Sequence, residues 1–213
     1  LVTSGAADMS LGAHGYNPGR FPFTGVMELP FISGSAKERS ADLWQLYEKF
    51  QADFDKEHEG VKVLGLYKND PYMFLLRSKP VESLEDLKGL KIRSSSQGAN
   101  EILEALGATP VSMPMPDVYE AMQRGVIDGA LAPVSVLFDY KLSDVTKYIT
   151  AGDFMSITHY IIANKNTWDK ISPEDQKIIL ELTGENYARK SGEVFDAETE
   201  AALDLVRQKG GEL

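Results

Sequence analysis

Apolar and polar positions follow two rhythms along the chain. Short apolar runs such as Val61-Lys62-Val63-Leu64-Gly65-Leu66-Tyr67 and 73–79 have the length and the β-branched or aromatic content of buried strands. Gly89-Leu90-Lys91-Ile92-Arg93 and the stretches 109–113, 126–132 and 157–164 read the same way. A further short strand is expected at Asp8-Met9-Ser10-Leu11, with a turn-rich loop from Gly12 to Pro22 after it. Between these runs lie amphipathic segments. The spacing predicts helices over 101–106 and 117–124, closed by Gly107 and Gly125 at C′ positions. Ser83 followed by Asp86 marks a helix start, because an acid three residues on can return a hydrogen bond to the cap. Strands alternating with short helices imply an α/β chain with a parallel-type sheet.

Both flanks differ from this middle. A helix over 41–54 carries Trp44 and Tyr47 as packing residues, and His58, inside Asp55-Lys56-Glu57-His58-Glu59, reads as part of a solvated helix face. Ser172-Pro173-Glu174-Asp175 opens a C-terminal helix with Ser as N-cap, Pro at the first turn and two acids near the positive end of the dipole. Apolar residues then recur at helical spacing to Val206, a stretch on the order of 35 residues and so longer than the usual helix. Gly184 and Gly192 are the points where it would divide. Trp168 ahead of it reads as core.

Composition narrows the chemistry. The 213 residues carry 22 Lys+Arg against 32 Asp+Glu, a net charge of -10. A surface that acidic repels phosphate backbones, so nucleic acid is not an expected partner. An anionic ligand would need a local cation. There is no cysteine, hence no disulfide, thiolate metal site or thiol nucleophile. No apolar run approaches the roughly 18 residues that span a bilayer, so no direct membrane insertion is expected. No signal-peptide pattern is present, and Leu1-Val2-Thr3-Ser4-Gly5 reads like the middle of a domain, as in a mature or truncated chain. His14, His58 and His159 form no metal-ligand spacing. Nucleophile-elbow, phosphate-loop and dinucleotide signatures are missing. Neither a cofactor, a metal nor a catalytic residue is expected.

Arg93 carries the most weight. It ends a short strand and precedes Ser94-Ser95-Ser96-Gln97-Gly98 and a helix. Ligands of open α/β sheets bind beyond the carboxyl ends of strands. There a guanidinium presents a planar fork to a carboxylate, and the Ser95 hydroxyl or the helix amides add donors. Spacing alone equally allows a surface arginine beside an acidic helix. Met113-Pro114-Met115-Pro116 either lines an adaptable apolar pocket or fills core next to a turn. His14, Tyr16, Asn17 and Arg20, on the loop, either meet a ligand or stabilise the loop itself.

Three blocks taken together resemble a known family. They are Asp86-Leu87-Lys88-Gly89-Leu90-Lys91-Ile92-Arg93, then Leu106-Gly107-Ala108-Thr109-Pro110-Val111 with Met113-Pro114, then Asp117-Val118-Tyr119-Glu120-Ala121-Met122-Gln123 with Gly125-Val126-Ile127-Asp128-Gly129. They closely resemble the solute-binding proteins of TRAP (tripartite ATP-independent periplasmic) transporters. Gly5-Ala6-Ala7-Asp8, Glu28-Leu29-Pro30-Phe31 and Lys141-Leu142-Ser143-Asp144-Val145 extend the likeness over nearly the whole chain. The resemblance implies a periplasmic two-lobed α/β clamshell with a long lobe-spanning C-terminal helix. It implies capture of a small organic acid by a salt bridge to the Arg of the Lys-Ile-Arg motif, here Arg93, with lobe closure and hand-over to membrane permease subunits. Residues 1–70 would form part of one lobe, 71–160 the second, and 161–213 the return to the first with the bridging helix. Family members are longer, so the chain is expected to be truncated at both ends.

The departures from the family bear on the ligand. Ala132 stands where several members carry Asn. Tyr72, Met73 and Phe74 occupy the register where some members place a second Arg, and Met115 replaces a frequent aromatic. These changes point to a monocarboxylate with an apolar or aromatic body. Thr158 and His159, at the start of the last strand, are expected to close over it. A second carboxylate would need Arg20 or His14. Two other readings stay open at this level: an extracytoplasmic sensor domain of the same fold, and a cytosolic α/β enzyme acting on a carboxylic acid.

Overall fold

The computed structural model describes residues 1–32 and 34–213. The chain divides into two compact units. Unit 1 comprises 1–28, 32–69 and 157–194; unit 2 comprises 29–31, 70–156 and 195–213.

Unit 1 is built on a three-stranded antiparallel sheet. Its strands are β1 (Met9–Ala13), β2 (Val61–Lys68) and β8 (Thr158–Asn164), in the order β1-β8-β2. Helices α1 (Ala36–Lys49) and α2 (Gln51–Glu57) lie between β1 and β2 in sequence. Ser35 and Glu38 form the capping box that starts α1. Leu43, Trp44, Tyr47 and Phe54 from these helices pack with Val63 and Leu66 of β2 in one apolar cluster. Trp168, on the short helix α7 (Lys165–Trp168), packs with Leu64 and Ala163 in another. The helix expected over 41–54 therefore begins earlier and breaks at Phe50, whose φ of -119 and ψ of 35 leave the helical region.

Unit 2 holds five strands in the order β5-β4-β6-β3-β7. They are β3 (Tyr72–Leu76), β4 (Lys91–Ser94), β5 (Thr109–Ser112), β6 (Gly129–Pro133) and β7 (Tyr148–Thr150). β4 runs parallel to β5 and β6, while β3 is antiparallel to β6 and β7, so the sheet is mixed. Helices α3 (Leu84–Leu87), α4 (Gln97–Ala105), α5 (Val118–Gln123) and α6 (Val136–Asp139) connect the strands. Asp86 accepts from both the backbone N–H and the hydroxyl of Ser83, as the spacing predicts. Gly107 and Gly125 sit at positive φ, 84° and 71°, and stop α4 and α5. The apolar run 126–132 yields a strand only from Gly129, because Val126 and Ile127 are spent closing the turn after α5 through bonds to the Ala121 carbonyl.

The C-terminal helical stretch is two helices, α8 (Pro173–Leu182) and α9 (Gly184–Gln208). They part at Gly184, with φ 72°. α9 belongs to unit 1 up to Val194 and to unit 2 from Phe195. Among the described residues, no helix is long and apolar enough to cross a membrane.

Gly192 does not divide α9; it lets another backbone in. A Cβ there would lie 2.3 Å from Lys37 Cα and 2.4 Å from Lys37 N, at the start of α1. Alanine improves helix propensity over glycine by about 1 kcal/mol. Overpacking costs about 1–3 kcal/mol and sits at the upper end when the obstacle is backbone. Gly192→Ala should therefore lower the thermal unfolding midpoint. A midpoint that rises would show that these two helices do not meet there.

Candidate functional site

The site begins with a row of side chains across the unit 2 sheet. Val111, Arg93, Ala130, Leu75 and Ile149 are successive cross-strand partners on β5, β4, β6, β3 and β7. Paired residues point to the same face, so this row is apolar except at Arg93. Leu75, Ala130 and Ile149 belong to one buried cluster with Met73, Met115, Val118, Met122 and Ala132, and Val111 and Met113 pack against it. Arg93 is itself fully buried. Its Nε donates to the backbone carbonyl of Met113 at 3.0 Å, where the chain leaves β5. Burying a charge costs several kcal/mol unless strong acceptors reach it, and arginine does not shed its proton to escape that cost.

The end of β4 adds donors. Ser94, Ser95 and Ser96 are all buried. Ser96 caps α4 by accepting from the Ala99 amide at 3.2 Å. The Ser95 Oγ is buried and has no hydrogen-bond partner. The Arg93 fork, the Ser95 hydroxyl and the positive end of a nine-residue helix are each groups that attract an anion. Met73 and Ala132 are partners on β3 and β6, and with Met115 they surround the Arg93 face with apolar atoms. Tyr72 is buried one position along β3, opposite Pro133, where the strand's alternation turns its side chain to the other face.

The residues expected from unit 1 have internal partners. The Thr158 amide and hydroxyl donate to one Glu28 carboxylate oxygen at 2.9 and 2.8 Å. Burial raises the Glu28 pKa against the lowering effect of those two bonds. His159 stacks on Tyr67, ring centroids 5.0 Å apart. Tyr16 lies in the 3-10 turn His14–Tyr16 and is exposed.

His58 is a correction. It is only 3% exposed, not on a solvated face. Its Nε2 lies 3.1 Å from Nε2 of His14, and its Nδ1 is 2.9 Å from the Phe54 carbonyl. A carbonyl only accepts, so His58 carries its proton on Nδ1 and His14 donates from Nε2. The acidic run around His58 hid the fact that the helix returns it to the interior. Glu57, next to it, holds the loop by accepting from the Thr24 amide and hydroxyl at 3.1 and 2.6 Å.

Two cavities lie elsewhere. One of about 240 Å³ in unit 1 is lined by Ser10, Asn17, Arg20, His58 and Tyr160 among others. One of about 320 Å³ in unit 2 is lined by Phe74, Val81, Leu84, Leu87 and Phe154. Phe74 alternates with Met73 and Leu75, which places the second cavity on the sheet face away from Arg93.

The comparisons with known proteins agree on the family. The family model for bacterial extracellular solute-binding protein family 7 matches residues 1–213. The chain belongs to that family. It is 27% identical over 220 residues to the 2,3-diketo-L-gulonate-binding periplasmic protein of Escherichia coli K12, covering 96% of this chain and 65% of the relative. A TRAP periplasmic solute-binding protein of Bordetella bronchiseptica, solved with bound (R)- and (S)-mandelate, is 35% identical with a TM-score of 0.93. That match covers 100% of this chain and 68% of the other. A TRAP solute-binding protein of Rhodoferax ferrireducens T118, in complex with copurified benzoate, is 28% identical with a TM-score of 0.92, covering 99% and 66%. The chain thus spans about two thirds of the length of these relatives. The mixed α/β architecture with its long C-terminal helix is theirs as well.

The buried histidines give a pH test. Burial, with the neighbouring His58 next, depresses His14 to about 3. Burial depresses His159 to about 4 and also lowers His58. A histidine whose folded pKa is depressed stabilises the fold above its unfolded value near 6.5, and that stability is lost as pH falls toward the folded value. Asp70 in unit 2, raised by burial to about 6, works the other way and favours the fold at lower pH. Ring resonances followed by NMR should show His14 and His159 without a titration step between pH 8 and 5. A midpoint near 6.5 for either would place that ring in water.

Proposed function

We propose that the chain is the ligand-capturing part of a TRAP-type uptake system in the bacterial periplasm, taking a small monocarboxylate with an apolar or aromatic body. One observation carries this reading: a fully buried arginine at the end of a strand whose cross-strand partners are apolar. The Arg93 fork takes the carboxylate. Ser95 and the start of α4 supply further donors. Met73, Met115 and Ala132 form the apolar wall against which the body of the acid packs. With water excluded around the pair, the ion pair strengthens as the local dielectric falls.

The acid's class follows from what surrounds Arg93. The neighbours on its face offer methyl, methylene and thioether groups. A second carboxylate placed against them would be desolvated without a partner, at a cost of several kcal/mol. The mandelate and benzoate found in the relatives are single carboxylates on aromatic bodies and support the same class. Nothing in this arrangement pairs a nucleophile with a base, so the reading is capture and release without turnover. Released acid would pass to the membrane permease subunits of the system.

Titration calorimetry tests the proposal with benzoate as probe. Wild type should bind benzoate far better than succinate, and the reverse order would overturn the ligand class. Arg93→Met should cost about 3–5 kcal/mol of binding, the penalty for leaving a buried carboxylate unpaired. The same substitution should leave the unliganded protein as stable as wild type or more so, because an apolar chain of similar length replaces a buried charge. Undiminished benzoate affinity in Arg93→Met would end the reading.

A further inference from the structure

Three polar side chains meet just behind Arg93 and its acceptor. Ser94 is the next residue on β4; Ser112 immediately precedes Met113, whose carbonyl accepts from Arg93 Nε. The Asn100 Oδ1, on the first turn of α4, accepts from the Ser94 hydroxyl and from the Ser112 hydroxyl, the latter at 3.1 Å. The two hydroxyl oxygens lie 3.2 Å apart. The ladder between these strands ends at the same place, with Ser94 opposite Ser112 and the Met113 amide donating to the Ser94 carbonyl at 3.4 Å.

We propose that Asn100 is a positioning residue for acid binding: its one carbonyl oxygen ties the ends of β4 and β5 together and so sets the angle at which Arg93 presents its fork. The inference rests on the proposed function of Arg93. The guanidinium is planar, and its Nε–H is spent on the Met113 carbonyl. The direction of its outer edge therefore depends on both the Cα of residue 93 and the oxygen of residue 113. One lies on β4 and the other follows β5. A slip of one strand along the other would turn the fork. The backbone ladder has only one more bond at this end, and it is long. The Asn100 oxygen supplies what the ladder lacks, a cross-tie beyond the last strong rung. Because both serines donate, the tie needs an acceptor with two lone pairs on one atom, which a carboxamide or a carboxylate has and an aliphatic chain does not. It also anchors α4, whose first turn follows Ser95 and Ser96. A fork held in its productive orientation before the ligand arrives loses less entropy on binding.

The test uses the full chain with Asn100→Leu, Asn100→Asp and Ser112→Ala, read two ways. The Arg93 Nε–H resonance, assigned by its absence in Arg93→Met, is followed by NMR in the unliganded protein. Benzoate affinity is measured by calorimetry. In Asn100→Leu the Nε–H signal should lose its protection from exchange, and affinity should fall about tenfold, as when outer partners of a binding group are removed. Asn100→Asp, which keeps the acceptor, should retain the protected signal. Ser112→Ala removes one donor from an exposed strand end and should give a smaller loss in both readouts, which keeps the test open if Asn100→Leu does not fold. Three outcomes overturn the inference: full affinity in Asn100→Leu, lost affinity with an unchanged Nε–H signal, or an Asp variant that behaves like Leu. If Arg93→Met loses benzoate while Asn100→Leu does not, only this inference fails. If Arg93→Met keeps benzoate, the proposed function fails, and the Nε–H signal still reports whether Asn100 orients the side chain.

Discussion

A permanent positive charge buried in an apolar sheet face is the constraint around which unit 2 is arranged. Carboxylates and imidazoles can adapt to burial by becoming neutral; arginine does not. The charge of Arg93 has to be met by fixed oxygen atoms, and the fold brings the Met113 carbonyl to 3.0 Å for that purpose. The sheet order makes this possible. β4 and β5 are parallel neighbours, so their carboxyl ends lie side by side, and the chain leaving one strand can serve the side chain ending the other. α4 starts at the same edge, adding backbone donors suited to an anion. Open α/β sheets bind their ligands beyond the carboxyl ends of strands arranged in this way.

Three titratable groups of unit 1 meet burial in the opposite manner. His14 and His58 share one proton across a 3.1 Å contact, and both are kept neutral by burial. Glu28 is raised toward its neutral form while it gathers two bonds from Thr158. These groups serve the interior: each has a partner within the unit, and their pKa values have moved to lower the cost of burial. A group that can relax by losing its charge is at rest in the folded chain, whereas a buried guanidinium keeps its charge and needs acceptors, as Arg93 does from the Met113 carbonyl and Arg39 in unit 1 from the Ile32 carbonyl.

Much of the strand and helix pattern could be read from the chain, and the places where reading failed share a cause. Ser83 with Asp86, Ser172 with Pro173, and Gly107 and Gly125 acted locally, through caps and positive φ, and local chemistry is visible in a sequence. Ser35 and Glu38 start α1 ahead of the apolar periodicity that begins at Ala41. The strand after Gly125 starts later than the apolar run, because Val126 and Ile127 are apolar and yet belong to a turn. His58 and Gly192 depended on what folds back against them, His14 in one case and the Lys37 backbone in the other. No window of sequence contains both partners.

The candidate site was legible in the same uneven way. Strand, serines and helix following one another in sequence make Arg93 a candidate, and the family resemblance singles it out. That Met73, Met115 and Ala132 share its face is a matter of register, since one position's slip would have turned the Met73 strand over. The Met113 carbonyl could not be foreseen at all, because a backbone acceptor has no signature in composition. Yet it is this oxygen, with the tie at Ser94, Ser112 and Asn100 behind it, that converts a charged side chain into an oriented one. Charge alone would attract any anion. Orientation is what lets a planar fork prefer a carboxylate, and it is supplied by neighbours that contribute no charge of their own.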